Sequence, residues 1–130
     1  MRGKRGNMEP TMLQSVLLVA AGGAIGAVLR FSVGQVVDSS QFPWATFTVN
    51  IVGSFLLALL MFGWTGIDPA VKILLFTGLF GAFTTMSTFT VDTVTMFSDG
   101  RLGEAALNFV MNPCVCVAGA FVGRYVALLL

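Results

Sequence analysis

The run Gly78-Leu79-Phe80-Gly81-Ala82-Phe83-Thr84-Thr85-Met86-Ser87-Thr88-Phe89-Thr90-Val91-Asp92-Thr93 is dense in glycine and hydroxyl side chains, inside a chain that is otherwise mostly apolar. If Pro69 to Ser98 formed a single helix, it would extend about 45 Å at roughly 1.5 Å per residue. A bilayer core is only about 30 Å thick. A helix interrupted near Gly81 to Thr85 fits that thickness better, because glycine tolerates unusual dihedrals and Ser/Thr side chains can re-satisfy freed backbone groups. Interrupted membrane helices commonly mark ion sites: unwound carbonyls hold a cation, while half-helix ends and hydroxyls meet an anion. The plainer alternative is a Gly/Thr-rich helix packed closely against a neighbour.

Composition points the same way. Of 130 residues, 56% are hydrophobic and 10% charged, which no ordinary soluble domain shows. Successive runs of spanning length predict an all-α integral membrane protein with one transmembrane domain over residues 1–130. The predicted spans are 12–37, 43–64, 69–98 and 102–130, with the third helix broken near its middle. A polar leader occupies 1–11, and the sequence leaves open whether it is wholly native. Its basic start could suit a signal peptide, but the apolar run continues through Gly22, Gly23 and Gly26 with no clear cleavage site. A net charge of +1 and the lack of any recognition motif speak against a nucleic-acid partner. Histidine is absent, which removes the commonest proton shuttle and metal ligand. Cys114 and Cys116 are two apart on a predicted helix and do not share a face, so they are expected to be small packing residues.

The polar residues within the spans are few. Gly22-xxx-Gly26 permits close helix approach, a weak signal on its own. Arg30 ends the first span, either as an interfacial anchor or in an aqueous vestibule that attracts anions. Trp44 opens the second span at the aromatic-belt depth. Asn50 lies well inside that span, where an amide must find another helix, the backbone, or water and ions in a cavity. Asp68 and Pro69 read as an N-cap and first helical residue. Asn108 and Asn112 are four apart and share a face of the fourth span, and Pro113 frees a carbonyl near Phe109. Apart from the leader, Lys72 and Arg124 fall on one side of the membrane and Arg30 and Arg101 on the other. The orientation signal nearly cancels, so two oppositely oriented copies could pair about a twofold axis in the membrane plane.

The runs Gly22 to Arg30, Thr46 to Phe55 and Gly81 to Phe89 together resemble the Fluc (CrcB-type) family of small fluoride channels, in order through the first three helices. The resemblance implies an antiparallel, dual-topology homodimer in the plasma (inner) membrane, with fluoride pores along the subunit interface. It also implies a structural sodium ion at the centre, held by backbone carbonyls that map onto Gly81 and Thr84. By the same resemblance the fluoride pathway takes in Asn50, Met86, Ser87, Thr88 and Phe89, with Asn108 and Asn112 as the fourth-helix candidates. The chain departs from the family where the usual Thr-Thr-Phe-Ser-Thr-Phe reads Thr84-Thr85-Met86-Ser87-Thr88-Phe89, so one aromatic is replaced by methionine.

Fluoride is small and strongly hydrated, so a pore must replace its water with donors. The amide of Asn50, the hydroxyls of Ser87 and Thr88 and the ring edge of Phe89 are neutral donors suited to that task. The expected function is therefore passive fluoride export that lowers fluoride toxicity, with no organic cofactor. Two rival readings are a small dual-topology multidrug transporter and a non-transporting membrane assembly subunit. The first would want an intramembrane carboxylate. Asp92 is the only candidate and sits near a span end. With no histidine, nucleophile-base pair or nucleotide loop, the chain does not read as an enzyme.

Overall fold

A computed structural model describes residues 8–130, so Arg2, Lys4 and Arg5 of the polar leader lie outside the described residues. Among the described residues, four helices are long and apolar enough to cross a membrane: Met12–Val36, Trp44–Gly63, Pro69–Ser98 and Leu102–Leu129. No strand occurs among the described residues. The chain is an all-α, multi-pass membrane protein.

Helix α1 (Met12–Val36) opens with a reciprocal cap, in which the Thr11 hydroxyl accepts from the Gln14 N–H at 3.2 Å and the Gln14 side chain accepts from the Thr11 N–H at 2.9 Å. Two orphan donors are thereby satisfied. Helix α2 spans Trp44–Gly63. The third span has two halves, α3 (69–83) and α4 (Met86–Ser98). As the sequence predicts, the Asp68 carboxylate caps α3 by accepting from the Ala70 N–H at 2.8 Å, with Pro69 at the first helical position. Helix α3 is α-wound at Pro69–Lys72, π-wound over Ile73–Phe80 and α-wound again over Gly81–Phe83. Helix α5 (Leu102–Leu129) runs through Pro113, which has no N–H to give the Phe109 carbonyl. At its start the Arg101 guanidinium bonds both the Gln41 carbonyl and the Glu104 carboxylate, tying the α1–α2 loop to α5.

Between α3 and α4, Thr84 (φ −83°, ψ 156°) and Thr85 (φ −150°, ψ 114°) are extended. Gly81 itself is helical, at φ −61° and ψ −34°. The chain leaves the helical path only at the threonines, where side-chain oxygens take over local backbone bonds. The Thr85 hydroxyl accepts from the Thr88 N–H at 3.2 Å and so caps α4. The two extended residues also change the span's neighbours: α3 packs on α1, whereas α4 packs on α5, and α5 packs most extensively on α2.

These packings rest on glycine. A methyl on Gly22 would overlap the Leu74 carbonyl oxygen, and one on Gly26 the Leu79 carbonyl oxygen. The two backbones are in direct contact along Gly22-xxx-Gly26. Gly123 makes the same kind of approach to the Phe55 carbonyl and seats α5 on α2. Rigid backbone cannot yield as a side chain would, so Gly26→Ala is expected to destabilise the fold by about 1–3 kcal/mol. Gly34→Ala, with open space around it, should stay within about 0.5 kcal/mol. Thermal unfolding of the two variants in detergent separates these outcomes. Outside the seams, large apolar side chains such as Leu17, Val28, Phe31, Val94, Phe109 and Phe121 are exposed on the single chain, as expected where the surroundings are hydrocarbon.

Candidate functional site: a neutral polar thread at the third-span turn

The centre of the site is the Thr85 peptide. An α-helix would send the Thr85 N–H to the Gly81 carbonyl, but it donates to Asn50 Oδ1 at 2.8 Å. The Asn50 Nδ2 in turn donates to the Thr85 carbonyl at 3.1 Å. A carboxamide presents the same donor and acceptor as a peptide, so one side chain saturates both faces of the residue that leaves the helix. Gly53, one turn further along α2, makes the approach possible, since a methyl there would overlap the Thr84 side-chain methyl.

From Asn50 a chain of neutral groups leads into α5. Asn50 Nδ2 reaches Asn112 Oδ1 at 3.5 Å, and Asn112 Nδ2 reaches Asn108 Oδ1 at 3.5 Å. Asn108 Nδ2 donates to the Thr93 hydroxyl at 3.0 Å, which donates to the Phe89 carbonyl at 2.8 Å. Asn108 and Asn112 are 0% and 2% exposed. At such depth amides must be partnered, and among the described residues no buried polar side-chain atom lacks one. The distances divide the thread. The Asn50–Thr85 bonds are at full-strength length, whereas the 3.5 Å contacts of Asn112 are long and weak. Asn50 is anchored to the backbone, whereas Asn112 is held by long contacts alone.

This thread borders an open groove of ≈ 260 Å³ lined by Asn50, Gly53, Ser54, Leu57, Thr84, Thr85, Met86, Phe89, Asn112, Pro113 and Cys116. Phe89 is buried at 5% exposure, while Met86 stands at 72% on the open side. A second groove of ≈ 380 Å³ is lined by Arg30, Phe31, Gly34, Thr46, Val49, Thr85, Thr88 and two alanines. Thr85 borders both grooves, and its hydroxyl links to Thr88 Oγ1 at 3.0 Å and Ser87 Oγ at 3.4 Å.

The residues expected from the sequence thus fall into three groups. Asn50, Thr84, Met86, Phe89 and Asn112 share the first groove, and Arg30 and Thr88 share the second. Asn108 is wholly buried behind the first groove, and Ser87 and Gly81 are exposed beside the turn. Asp92 lies outside both grooves, its carboxylate accepting from the Thr46 hydroxyl at 2.9 Å. Sequence reading missed Thr85, although a threonine immediately before a helical run is a cap signal. It also took Cys116 for packing alone. Cys114 is exposed, but Cys116 lines the first groove, with its thiol 3.6 Å from Asn112 Oδ1. The signal was its place four residues after Asn112, continuing the face of Asn108 and Asn112.

Four apolar spans around a charge-free polar thread define a small multi-pass membrane protein, with irregular backbone inside a span where amides and hydroxyls line a groove. A family model described as "CrcB-like protein, Camphor Resistance (CrcB)" matches residues 17–124. The chain is 43% identical over 115 residues to a protein of Idiomarina loihiensis named "Fluoride-specific ion channel FluC", covering 85% of this chain and 89% of that one. Proteins with the same name from Agrobacterium fabrum (41% identical; 84% and 92% covered) and Elusimicrobium minutum (34% identical; 87% and 93% covered) are similar over 115 and 117 residues. The chain belongs to the CrcB family. Its relatives are named as ion channels rather than as enzymes.

Proposed function

We propose that this chain is a fluoride-selective channel that lets fluoride leave the cell passively and so limits its toxicity; it is not an enzyme. The observation that carries this reading is the run of neutral donors, Asn50, Asn112 and Ser54 with Phe89, along one groove at the turn of the third span, in a chain closely related to proteins named as fluoride channels. Neutral donors can replace the ion's water without the depth of attraction that a buried cation would impose, so release stays fast. Arg30 in the second groove would raise the local anion concentration at an entrance. The multidrug-transporter reading is not favoured, because Asp92, its one candidate carboxylate, lines neither groove and is held by the Thr46 hydroxyl.

The residues at the turn suit a sodium ion. Gly81 and Thr84 would hold it through main-chain carbonyls, as part of a third span broken for that purpose. The Thr85 N–H, the helical partner of the Gly81 carbonyl, is given to Asn50, which leaves a hard neutral oxygen of the kind an alkali cation prefers. When bound, the ion supplies fixed positive potential beside the path. Two oxygens per chain leave a coordination shell incomplete, and a twofold-related second copy would double them. The first groove is likewise open on one side, and Lys72 and Arg124 balance Arg30 and Arg101 across the membrane. All three features support an antiparallel, dual-topology homodimer in the plasma membrane.

Efflux from liposomes containing the purified protein, read with fluoride- and chloride-selective electrodes, tests the function. Rapid fluoride release with chloride retained is expected, and release that requires a proton gradient or a cationic drug would overturn it. Met86 stands where the family motif carries phenylalanine, and its polarised S-methyl group is proposed to stand in for a ring edge. Met86→Phe is accordingly expected to change fluoride flux by less than about tenfold, that is, by under about 1.4 kcal/mol in the barrier. An increase of several orders of magnitude in the same assay would refute the substitution idea.

A further inference from the structure

We infer that Asn50 is a positioning residue for the carbonyls at the third-span turn, so that one amide serves both the anion path and the cation site. This rests on the sodium reading above and goes beyond it, because it says what keeps those oxygens exposed. The Gly81 carbonyl would, in a continuous helix, accept from the Thr85 N–H four residues on. Asn50 Oδ1 takes that N–H at 2.8 Å, and its Nδ2 covers the Thr85 carbonyl at 3.1 Å. Without a competing acceptor of this kind, the least costly fate for the buried Thr85 N–H is the helical bond to the Gly81 carbonyl four residues back. Thr85 is only 8% exposed, which limits how far solvent could take the place of that acceptor.

The same segment of α2 supplies the reach. Asn50 and Gly53 are three apart and share a face. The missing side chain of Gly53 admits the Thr84 methyl, which brings the α2 backbone close enough for Asn50 to span the Thr85 peptide. Thr84, at ψ 156°, turns its own carbonyl away from the helical direction. The amide thus holds Gly81 and Thr84 in the state in which their oxygens point to a ligand rather than to the chain. Its remaining N–H makes only the 3.5 Å contact to Asn112 on the groove side.

The test separates this role from that of a pore donor by reading sodium rather than flux. Purified protein in N-methylglucamine buffer is titrated with sodium chloride, and the thermal midpoint is followed. The wild type is expected to gain stability with sodium. Asn50→Leu, which offers no acceptor, is expected to raise the sodium concentration needed by at least about tenfold. Asn50→Asp keeps an acceptor oxygen for the Thr85 N–H, and its requirement should rise by no more than about threefold while its fluoride efflux falls. If both variants lose efflux and neither alters the sodium response, Asn50 is a pore donor only and the inference is overturned. A wild type indifferent to sodium removes both this inference and the sodium reading, whereas a sodium-responsive wild type with an unshifted leucine variant removes this inference alone. Should Asn50→Leu fail to fold, carbonyl-13C labelling of glycine in the wild type decides. The Gly81 resonance should move when sodium replaces N-methylglucamine, and a stationary resonance overturns the proposal.

Discussion

Asn112→Leu is expected to lower fluoride efflux by about ten- to a hundredfold. Asn112 is the hub of the polar thread, in reach of Asn50, Asn108 and Cys116 at 3.5, 3.5 and 3.6 Å. Contacts of that length are weak, so its donor is available to a passing anion. A hydrogen bond to a charged partner contributes about 1.5–3 kcal/mol, and about 1.4 kcal/mol is a factor of ten in rate. The substitution also strands the Asn108 carbonyl oxygen at 0% exposure, costing a further 1–3 kcal/mol or so of stability. Cys116→Ser separates the two effects. It preserves a donor toward Asn112 and should leave efflux within a few-fold of wild type. Efflux from liposomes, normalised to folded protein recovered by size exclusion, is the measurement. An Asn112→Leu protein that folds and conducts normally would remove Asn112 from the pathway.

Phe89→Ala is expected to cost about 3–5 kcal/mol of stability, the range for deleting a buried aromatic ring, and to abolish measurable efflux. The ring is 5% exposed yet lines the first groove beside Asn50 and Asn112, so it fills the interior and, on the proposed reading, would also meet the anion. Phe89→Leu tells these roles apart. Leucine recovers most of the packing and none of the ring edge, whose positive rim is the part an anion meets. Stability should return to within about 1.5 kcal/mol, while efflux stays depressed at least tenfold or so. If Phe89→Leu conducts like the wild type, the ring is a packing element and the anion path lies elsewhere. Met86, at 72% exposure, carries no comparable stability role, which is why its exchange for phenylalanine is expected to be mild.

Much of this site could be read from the chain, and the shortfall has an identifiable cause. Asn50, Asn108 and Asn112 stand out because an amide in a membrane span is costly unless partnered, a property of the residue and its surrounding apolar run. The shared face of Asn108 and Asn112 follows from helical spacing alone. Sequence spacing did not reveal that Asn50 would bond the main chain of Thr85, or that Gly53 would make room for Thr84. Those partners sit on different helices, and which turn of one meets which turn of another depends on where small residues let backbones touch. The place of Cys116 in the groove went unread for a related reason. Its distance from Cys114 drew the comparison, whereas its distance from Asn112 set its surroundings.

Hydropathy, caps and span length are local, and from them the residues alone determined four membrane helices, the Asp68–Pro69 start of the third, and a set of polar candidates running from Arg30 to Asn112. Each follows from the high cost of an unpaired backbone group in hydrocarbon, which leaves an apolar segment of that length little alternative to a helix. Tertiary structure decided where the third span departs from helical geometry, at Thr84 and Thr85 rather than at helical Gly81. It also decided that the span passes from α1 to α5 at that point. A peptide N–H has two nearly equivalent acceptors there, the carbonyl four residues back and an amide from α2. Only the close approach of α2 over Gly53 settles which one it takes.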